Sequence, residues 1–470
     1  MRKTKIICTI GPASQSEEML ERLCLAGMDV ARLNFSHGTH EEHKERIDAL
    51  KRVRERLGLP LAILLDTKGP EYRIKTFKNG KITLKEGDNF VFTSEDIEGD
   101  ERRVSVSYKN LPQELGEGDT ILLNNGLMAF RVERISGGDI ECTVTVGGVL
   151  SDRKSMSFPG KVLRQPYLSE QDKRDILFGI ENGVDFIACS FVSSRQDLLD
   201  VKEFLHQHGG RDIGLIAKIE NGSGVENIRE ILSECDGIMI GRGDLGVEMP
   251  FEKIPAIQKK LIMEARMLGK IVITATEMLE SMITNARPTR AEISDVANAV
   301  YDGTSALMLS GETAVGKYPD LAVSTMARIA EYTEGDINYK KRFADTEFPI
   351  KDTTDAISQA TCGMAIDLGA KAIVVCTVSG MTARMVSRFR PPVDIVAVTS
   401  IEKTWRKLAL SWGVIPVLTE DFKSTEVMFY FAVKAAKEKL GLCPSDKVVI
   451  TGGTTNGVIG GTNLVKVETI

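Results

Sequence analysis

Eight short apolar runs constrain this chain more than any other feature of it. They fall at residues 5–9, 30–35, 61–65, 186–188, 215–219, 237–240, 271–275 and 306–309. Runs this short and this continuously apolar read as strands buried on both faces. Between most of them lies a helix-sized amphipathic segment, at 17–26, 41–57, 170–182 and 194–208 for example. Eight strand–helix units predict a closed (β/α)8 barrel in preference to an open doubly wound sheet.

One crossover breaks the rhythm. Between the third and fourth runs, residues 70–163 carry turn dipeptides such as Asn79-Gly80, Gly118-Asp119 and Asn125-Gly126 between alternating β-type stretches. That spacing predicts an inserted all-β module. Loops that follow strands emerge on the active face of a barrel, so the insert is placed to act as a lid. A strand and helix pattern restarts near residue 350, with strands expected at 372–376, 395–398, 415–418, 448–451 and 464–467 and helices at 355–368, 383–390, 402–412 and 424–440. The expected organisation is barrel over 1–69 and 164–345, lid over 70–163, and a C-terminal α/β domain over 346–470, joined through a polar, aperiodic linker at 333–349.

Composition narrows the class. Of 470 residues, 42% are hydrophobic and 27% charged, with a formal net charge of −6, so neither nucleic acid nor an anionic membrane is favoured as a bulk partner. The eight cysteines form no CxxC pair, which suits reduced thiols. The chain enters a strand at once and has no membrane-length apolar window, so a soluble, cytoplasmic protein is expected. His40 and His43 fall in a charged stretch that reads as an exposed helix start and not as a metal site.

The polar residues collect just after the strands. The second run is followed or ended by Arg32, Asn34, Ser36 and His37, and the third by Asp66, Thr67, Lys68, Glu71 and Arg73. The fifth ends in Lys218 and Glu220, the sixth in Arg242, Gly243 and Asp244, the seventh in Thr276 and Glu277, and the eighth in Ser310 and Glu312. A single pair such as Lys218 and Glu220 could be a salt bridge or a solvated strand end. Six such groups on one rim of a barrel are better explained as a site. Glu220 and Asp244 are hard oxygen ligands of the kind Mg2+ (or Mn2+) takes, with substrate and water completing the shell. Lys218, Arg32 and Arg73 are fixed cations suited to phosphate oxygens. Gly243 lets a backbone N–H approach an anion. Asn34, Ser36, Asp66 and the Thr67 carbonyl offer oxygens with one formal charge, a better cage for a large monovalent cation than for a divalent one. Neither a GxxxxGK[ST] phosphate loop nor a protein-kinase HRD…DFG set occurs, so a nucleotide would have to be held by rim and lid.

These residues stand in motifs that resemble one family closely. Thr4 to Pro12 (TKIICTIGP), Arg32 to Gly38 (RLNFSHG), Asp66 to Glu71 (DTKGPE), Ile213 to Val225 around Lys218-Ile219-Glu220, Arg242 to Glu248 (RGDLGVE) and Arg287 to Glu292 (RPTRAE) are similar to the signatures of pyruvate kinases, in the same order and over essentially the whole chain. The resemblance implies transfer of a phosphoryl group from phosphoenolpyruvate to ADP, giving pyruvate and ATP as the last step of glycolysis, in a homotetramer. It implies Lys218 as stabiliser of the phosphoryl group, Glu220 and Asp244 as Mg2+ ligands, and Arg32, Gly243 and Thr276 as holders of phosphoenolpyruvate. By the same likeness Asn34, Ser36, Asp66 and Thr67 would bind K+. Arg73, Lys154 and the segment Asn34, Phe35, Ser36 and His37 would meet the nucleotide, and Thr276 would relay a proton to the enolate, through water. Glu71 matches the K+-dependent form of the family. Departures are Tyr72 for a usual Ile, Glu277 for a usual Gln, and Lys154 to Gly160 (KSMSFPG) for a usual KGVNLPG.

In the C-terminal domain, Thr377, Ser379, Gly380, Met381 and Thr382 precede a helix. Hydroxyls and a glycine before a helix N-terminus make a phosphate pocket, although an ordinary strand-to-helix turn with Thr382 as N-cap is the plainer reading. The stretch resembles the effector loop of pyruvate kinases, which implies a sugar-phosphate activator, fructose 1,6-bisphosphate first, with the glycine-rich tail 452–463 as a second wall. Two rivals stay open: a lyase or aldolase that uses Lys218 as a Schiff base, and a non-catalytic phosphometabolite sensor.

Overall fold

In the computed structural model, which describes residues 1–161, 163–421, 424–453 and 461–470, eight parallel strands close a barrel. In chain order they are Lys5–Thr9, Val30–Asn34, Ala62–Asp66, Phe186–Cys189, Gly214–Ile219, Gly237–Gly241, Ile271–Ala275 and Ala306–Leu309, called below the first to eighth strands. Each pairs with its sequence neighbours, and the first closes the ring on the eighth. Both faces are buried, which explains why the strands appear in the sequence as unbroken apolar runs. One parity fills the interior with Ile7, Val30, Ala62, Leu64, Phe186, Ala188, Ile216, Met239, Ile273 and Met308, and the other packs on the surrounding helices.

Between the third and fourth strands lie a seven-stranded, mainly antiparallel sheet and a two-stranded ribbon, Lys81–Leu84 with Gly148–Ser151. Phe90, Phe92 and Phe130 meet edge-on or tilted in their core, at centroid separations of 5.1–5.9 Å. Beyond the barrel, five strands in the spatial order Val414–Leu418, Asp394–Thr399, Ala372–Cys376, Lys447–Gly452, Leu464–Thr469 form a sheet in which only the last pair is antiparallel.

Three expectations are corrected. The stretch 333–349 is not an aperiodic linker: helix Pro319–Asp336 runs into it and helix Tyr339–Asp345 follows. Tyr339 against Trp412 and Phe348 against Phe389, at 5.5 and 4.5 Å, pin this segment to the C-terminal domain, and its polar outer face hides the helical period. The helix expected at 383–390 is Met381–Ser387, with Gly380 rather than Thr382 as N-cap. The one expected at 402–412 stops at Lys407 and continues as the 3-10 turn Leu408–Leu410.

His43 departs from the exposed helix start read in the sequence. It is 1% exposed, stacks on Phe35 at 4.0 Å, and shares a 2.9 Å hydrogen bond between Nε2 and the His37 carbonyl. Burial is the main cause that lowers its pKa to about 4. A folded-state value below the unfolded one means that the unfolded chain takes up the extra proton as pH falls from about 6.5 to about 4, so stability is lost across that window. His43→Gln, which keeps a donor for His37, is expected to flatten the fall in melting temperature between those pH values. An unchanged slope in thermal unfolding would remove His43 as a cause.

Candidate active site

The interior parity of the strands, carried one step past the packed layers, delivers a polar ring at the C-terminal mouth. Ile7 is followed by Thr9, Val30 by Arg32, Leu64 by Asp66, Ala188 by Ser190, and Ile216 by Lys218 and then Glu220. The Lys218 ammonium lies 3.1 Å from Asp66 Oδ1, 3.0 Å from Glu220 Oε1 and donates to Ser190 Oγ at 2.7 Å. Arg32 Nε donates to Asp66 Oδ2 at 2.6 Å and Nη1 to Thr9 Oγ1 at 2.9 Å. Ser190 Oγ also contacts Asp66 Oδ1 at 3.2 Å and donates to the Thr67 carbonyl at 2.7 Å. Glu220 Oε2 accepts the Phe191 amide at 2.9 Å. Gly241 makes room for this carboxylate, since a Cβ there would stand 2.7 Å from Glu220 Cγ.

The charges are unevenly shared. Burial pushes the Asp66 carboxyl up, but Arg32 and Lys218 outweigh it, and its pKa ends below the usual value. Burial likewise drives Glu220 up, and Asp244 and Asp66 add to the rise, while Lys218 and the Phe191 amide oppose it without cancelling it. The Lys218 ammonium is desolvated too, yet Asp66 and Glu220 more than restore it, so it is held protonated. Lys218 and Glu220 are thus salt-bridge partners across 3.0 Å as well as members of the rim.

Around the seventh strand, Thr276 and Glu277 both take left-handed backbone, at φ +68° and +54°, a region unfavourable for residues other than glycine. Arg242 holds them there. Its guanidinium donates to the carbonyls of Thr276 at 2.6 Å, Glu277 at 3.2 Å and Ala275 at 3.3 Å, and is itself anchored on Asp295 at 2.7 Å. Thr276 Oγ1 accepts the Gly243 amide at 2.9 Å and donates to the Ala275 carbonyl at 2.6 Å. Glu312 is buried and accepts the amides of Leu279 and Ser310, so it supports the loop and does not face the mouth as a free acid. Asp244 is exposed on the first turn of helix Arg242–Glu248.

Glu71, Arg73, Lys154, Asn221 and Asp244 are among the residues that line a cleft of about 380 Å³ between mouth and insert, whereas Asn34 to His37 lie outside its lining. Arg73 pairs with Glu71 and donates to the Arg153 carbonyl at 2.6 Å. Tyr72 fills the insert's edge against Phe158 and Tyr108, both at 5.5 Å, and strand Ser155–Ser157 pairs with Tyr72–Arg73. Asn34 Oδ1 accepts the Ser36 amide at 3.1 Å, and Ser36 and His37 are exposed. Phe35 is a correction: its ring is buried against His43 and Phe178, so only its backbone could meet a nucleotide.

Among the described residues no three His, Cys, Asp or Glu side chains converge. A divalent ion held by two carboxylates, with substrate and water for the rest, needs no more. Glu220 fits that use, because its surplus negative surroundings favour a cation. Asn34, Asp66 and Thr67 each present an oxygen that already takes a protein donor, and such oxygens keep a second lone pair for a weakly held monovalent ion.

In the C-terminal domain Thr377 Oγ1 accepts the Gly380 amide at 3.0 Å and Ser379 Oγ the Met381 amide at 3.4 Å. Val378, Ser379 and Met381 are exposed, whereas Thr382 is buried and shares a 2.7 Å hydrogen bond with Thr462. Of the glycine-rich tail, residues 454–460 lie outside the described residues.

Ser190 is the member of the mouth that sequence reading missed. Its signal was parity, since Phe186, Ala188 and Ser190 share a face, and not charge.

Comparison with known proteins bears on the same residues. Residues 1–323 match the family model described as pyruvate kinase, barrel domain, and residues 355–468 the model of pyruvate kinase, alpha/beta domain. The chain is 48% identical to a pyruvate kinase of Staphylococcus saprophyticus over all of its length and 81% of the relative's. It is 45% identical to one of Clostridium acetobutylicum over the full length of both. The fold matches the crystal structure of a pyruvate kinase from Cryptosporidium parvum with TM-score 0.94 and 38% identity, covering 100% of this chain and 96% of the other.

Arg242→Met removes the clamp on the 275–277 carbonyls. Amide exchange at residues 276–279 is expected to rise by at least about 10-fold, the scale of losing two or more charge-assisted hydrogen bonds, while exchange in the barrel strands stays unchanged. Equal protection in variant and parent would show that the left-handed loop holds itself.

Proposed function

The chain belongs to the pyruvate kinase family, and from that premise we propose that it transfers the phosphoryl group of phosphoenolpyruvate to ADP, with Mg2+ (or Mn2+) and K+, as the last step of glycolysis. The observation that carries the assignment of roles is the protonated Lys218 ammonium fixed between Asp66 and Glu220 at the barrel mouth. Phosphoryl transfer asks for positioned charge more than for covalent help. When bound at Glu220 and Asp244, the divalent ion supplies charge that neutralises phosphate oxygens. The chain's own residues do the rest. Lys218 and Arg32 receive the phosphoryl group of phosphoenolpyruvate, and Gly243 and Thr276, joined to one another by a 2.9 Å hydrogen bond, hold its carboxylate end.

As the P–O bond to the enol oxygen breaks and a bond to an ADP oxygen forms, Lys218 meets the charge spread over the transferring group. The enolate left behind takes a proton at carbon from water ordered by Thr276 Oγ1. Arg73 and Lys154, with the backbone at Phe35 and the exposed Ser36 and His37, hold the nucleotide in the cleft. Asn34, Ser36, Asp66 and Thr67 hold K+. We divide the chain into barrel (1–69 and 164–345), lid (70–163) and C-terminal regulatory domain (346–470), a division supported by the separate sheets of the three parts. Among the described residues no helix is long and apolar enough to cross a membrane, and we place the enzyme, as a homotetramer, in the cytoplasm. Thr377, Ser379, Gly380, Met381 and Thr382 form the effector loop, which takes a sugar phosphate such as fructose 1,6-bisphosphate. A Schiff-base lyase would need Lys218 neutral, and its two carboxylates oppose that.

Pyruvate formation from phosphoenolpyruvate and ADP, followed through a coupled dehydrogenase, tests the reading. Activity should require both Mg2+ and K+, and no pyruvate in their presence would overturn it. Lys218→Ala should cost kcat about 10²–10³-fold, the scale of one preorganised stabiliser, with a far smaller change in phosphoenolpyruvate affinity by equilibrium titration; equal losses would contradict a transition-state role. Ser379→Glu, at an exposed position, should abolish activation by fructose 1,6-bisphosphate and leave basal turnover intact. Undiminished activation would move the effector elsewhere.

A further inference from the structure

The seam between the floor of the barrel and the C-terminal sheet carries more positive charge than its contacts balance. There, helix Ile254–Met267 and the entries to the seventh and eighth strands meet helix Met381–Ser387 and the turns after it. A cavity of about 10 Å³, the room that one water-sized sphere needs, is lined by Arg266, Lys270, Arg384, Arg388 and Arg390 and by no carboxylate. Arg384 pairs with Asp236 at 2.7 Å and Arg388 with Asp355 at 3.0 Å. Arg266 and Arg390, each 3% exposed, pair with no carboxylate among the described residues.

Neutral acceptors take part of their donors. Arg266 Nε reaches the Arg388 carbonyl at 3.0 Å, while Arg390 reaches the Ser387 and Gly303 carbonyls at 2.8 and 3.0 Å and the Ser387 and Ser305 hydroxyls at 3.2 and 3.1 Å. Trp412 lies 4.7 Å from the Arg390 guanidinium and Phe348 5.3 Å from that of Arg266. Arg266 Nη2, Arg388 Nε, Arg390 Nε and Ser411 Oγ have no hydrogen-bond partner. Arg390 also sits at φ +52°, a backbone cost of the kind that persists where the surroundings require it.

Two buried guanidiniums in contact with no carboxylate are costly, the more distant Glu334 acting on Arg390 too weakly to offset burial, and arginine keeps its charge in almost any surroundings. Burial is the main cause that draws Arg266 down to about 10 and Arg390 well below the usual arginine range. Carbonyls and rings solvate such charge without neutralising it. A monatomic anion would do both, accepting several N–H donors from one point. A tetrahedral oxyanion needs more room than one sphere.

We propose that this seam holds one small inorganic anion, a monatomic one such as chloride by charge and by its ability to accept several donors at one point, between Arg266, Arg388 and Arg390. The anion would fasten the C-terminal helix Met381–Ser387 to the floor of the barrel, as a structural ligand separate from the chemistry at the mouth. This assignment does not depend on the catalytic or effector reading.

Crystals of the full chain grown in sodium bromide, with data collected at the bromine edge, test it directly. An anomalous peak is expected in the cavity within about 3.5 Å of the guanidinium nitrogens, the reach of a hydrogen bond to a halide. Density there without anomalous signal would mean water and would overturn the proposal. In solution, chloride should raise the melting temperature saturably by about 2–4 °C over sodium gluconate at equal ionic strength, and equal effects of the two salts would overturn it as well. Arg266→Met keeps the packing over Phe348 and should lose both the peak and the difference between salts; retention of both would refute the site. If that variant does not fold, the bromide result on the parent chain decides.

Discussion

One ammonium shared by two buried carboxylates organises the mouth of this barrel. Lys218 touches Asp66 and Glu220 within 3.1 Å, and Arg32 takes the far side of Asp66. Four charges this deeply buried are tolerated only because each finds a partner, and removing one strands another in low dielectric. Asp66 has two cations and stays ionised. Glu220 has a fraction of one, with Asp244 working against it, and so is the group most receptive to a further positive charge. The asymmetry follows from which strand each side chain leaves, and it separates a carboxylate that holds the lysine from one that can hold a metal.

Charge is balanced differently at the opposite end of the barrel. At the mouth, two cations and two carboxylates balance to first order, and the site's remaining appetite comes from Glu220 and the exposed Asp244. At the floor, Arg266 and Arg390 are as deeply buried but face carbonyls, hydroxyls and rings. Neutral acceptors satisfy donors without cancelling charge. The mouth therefore favours a cation and the floor an anion, and the helix Met381–Ser387 joins the floor to the loop 377–382.

Much of this was legible in the sequence, for a physical reason. Strands buried on both faces leave continuous apolar runs, and all eight barrel strands were found within a few residues. Charged residues at run ends stand out for the same reason, which exposed Lys218, Glu220, Asp66 and Arg32. Ser190 did not stand out, because a small hydroxyl after Ile187-Ala188-Cys189 breaks no pattern, and only the shared face with Ala188 marks it. Helix Tyr339–Asp345 was lost because it meets the domain through two aromatic residues, Tyr339 and Phe343, too few to show a period. The pairing of Lys218 with Glu220 is not excluded by their place on the rim, and they meet at 3.0 Å.

The insert's place in the chain ties it directly to the mouth. The chain leaves the third strand at Asp66, passes Thr67 and Gly69, and enters the insert at Tyr72–Arg73 within six residues. Gly69 sits at φ +70°, and a Cβ there would stand 2.8 Å from the Ser190 carbonyl, so the hinge is packed against the segment that holds Lys218. On the far side of the cleft, Glu248 lies against Ser157 and Phe158 of the insert, and burial raises its pKa to about 7. The insert is therefore held at both ends by elements that also carry site residues, Asp66 through one and Asp244 through the other.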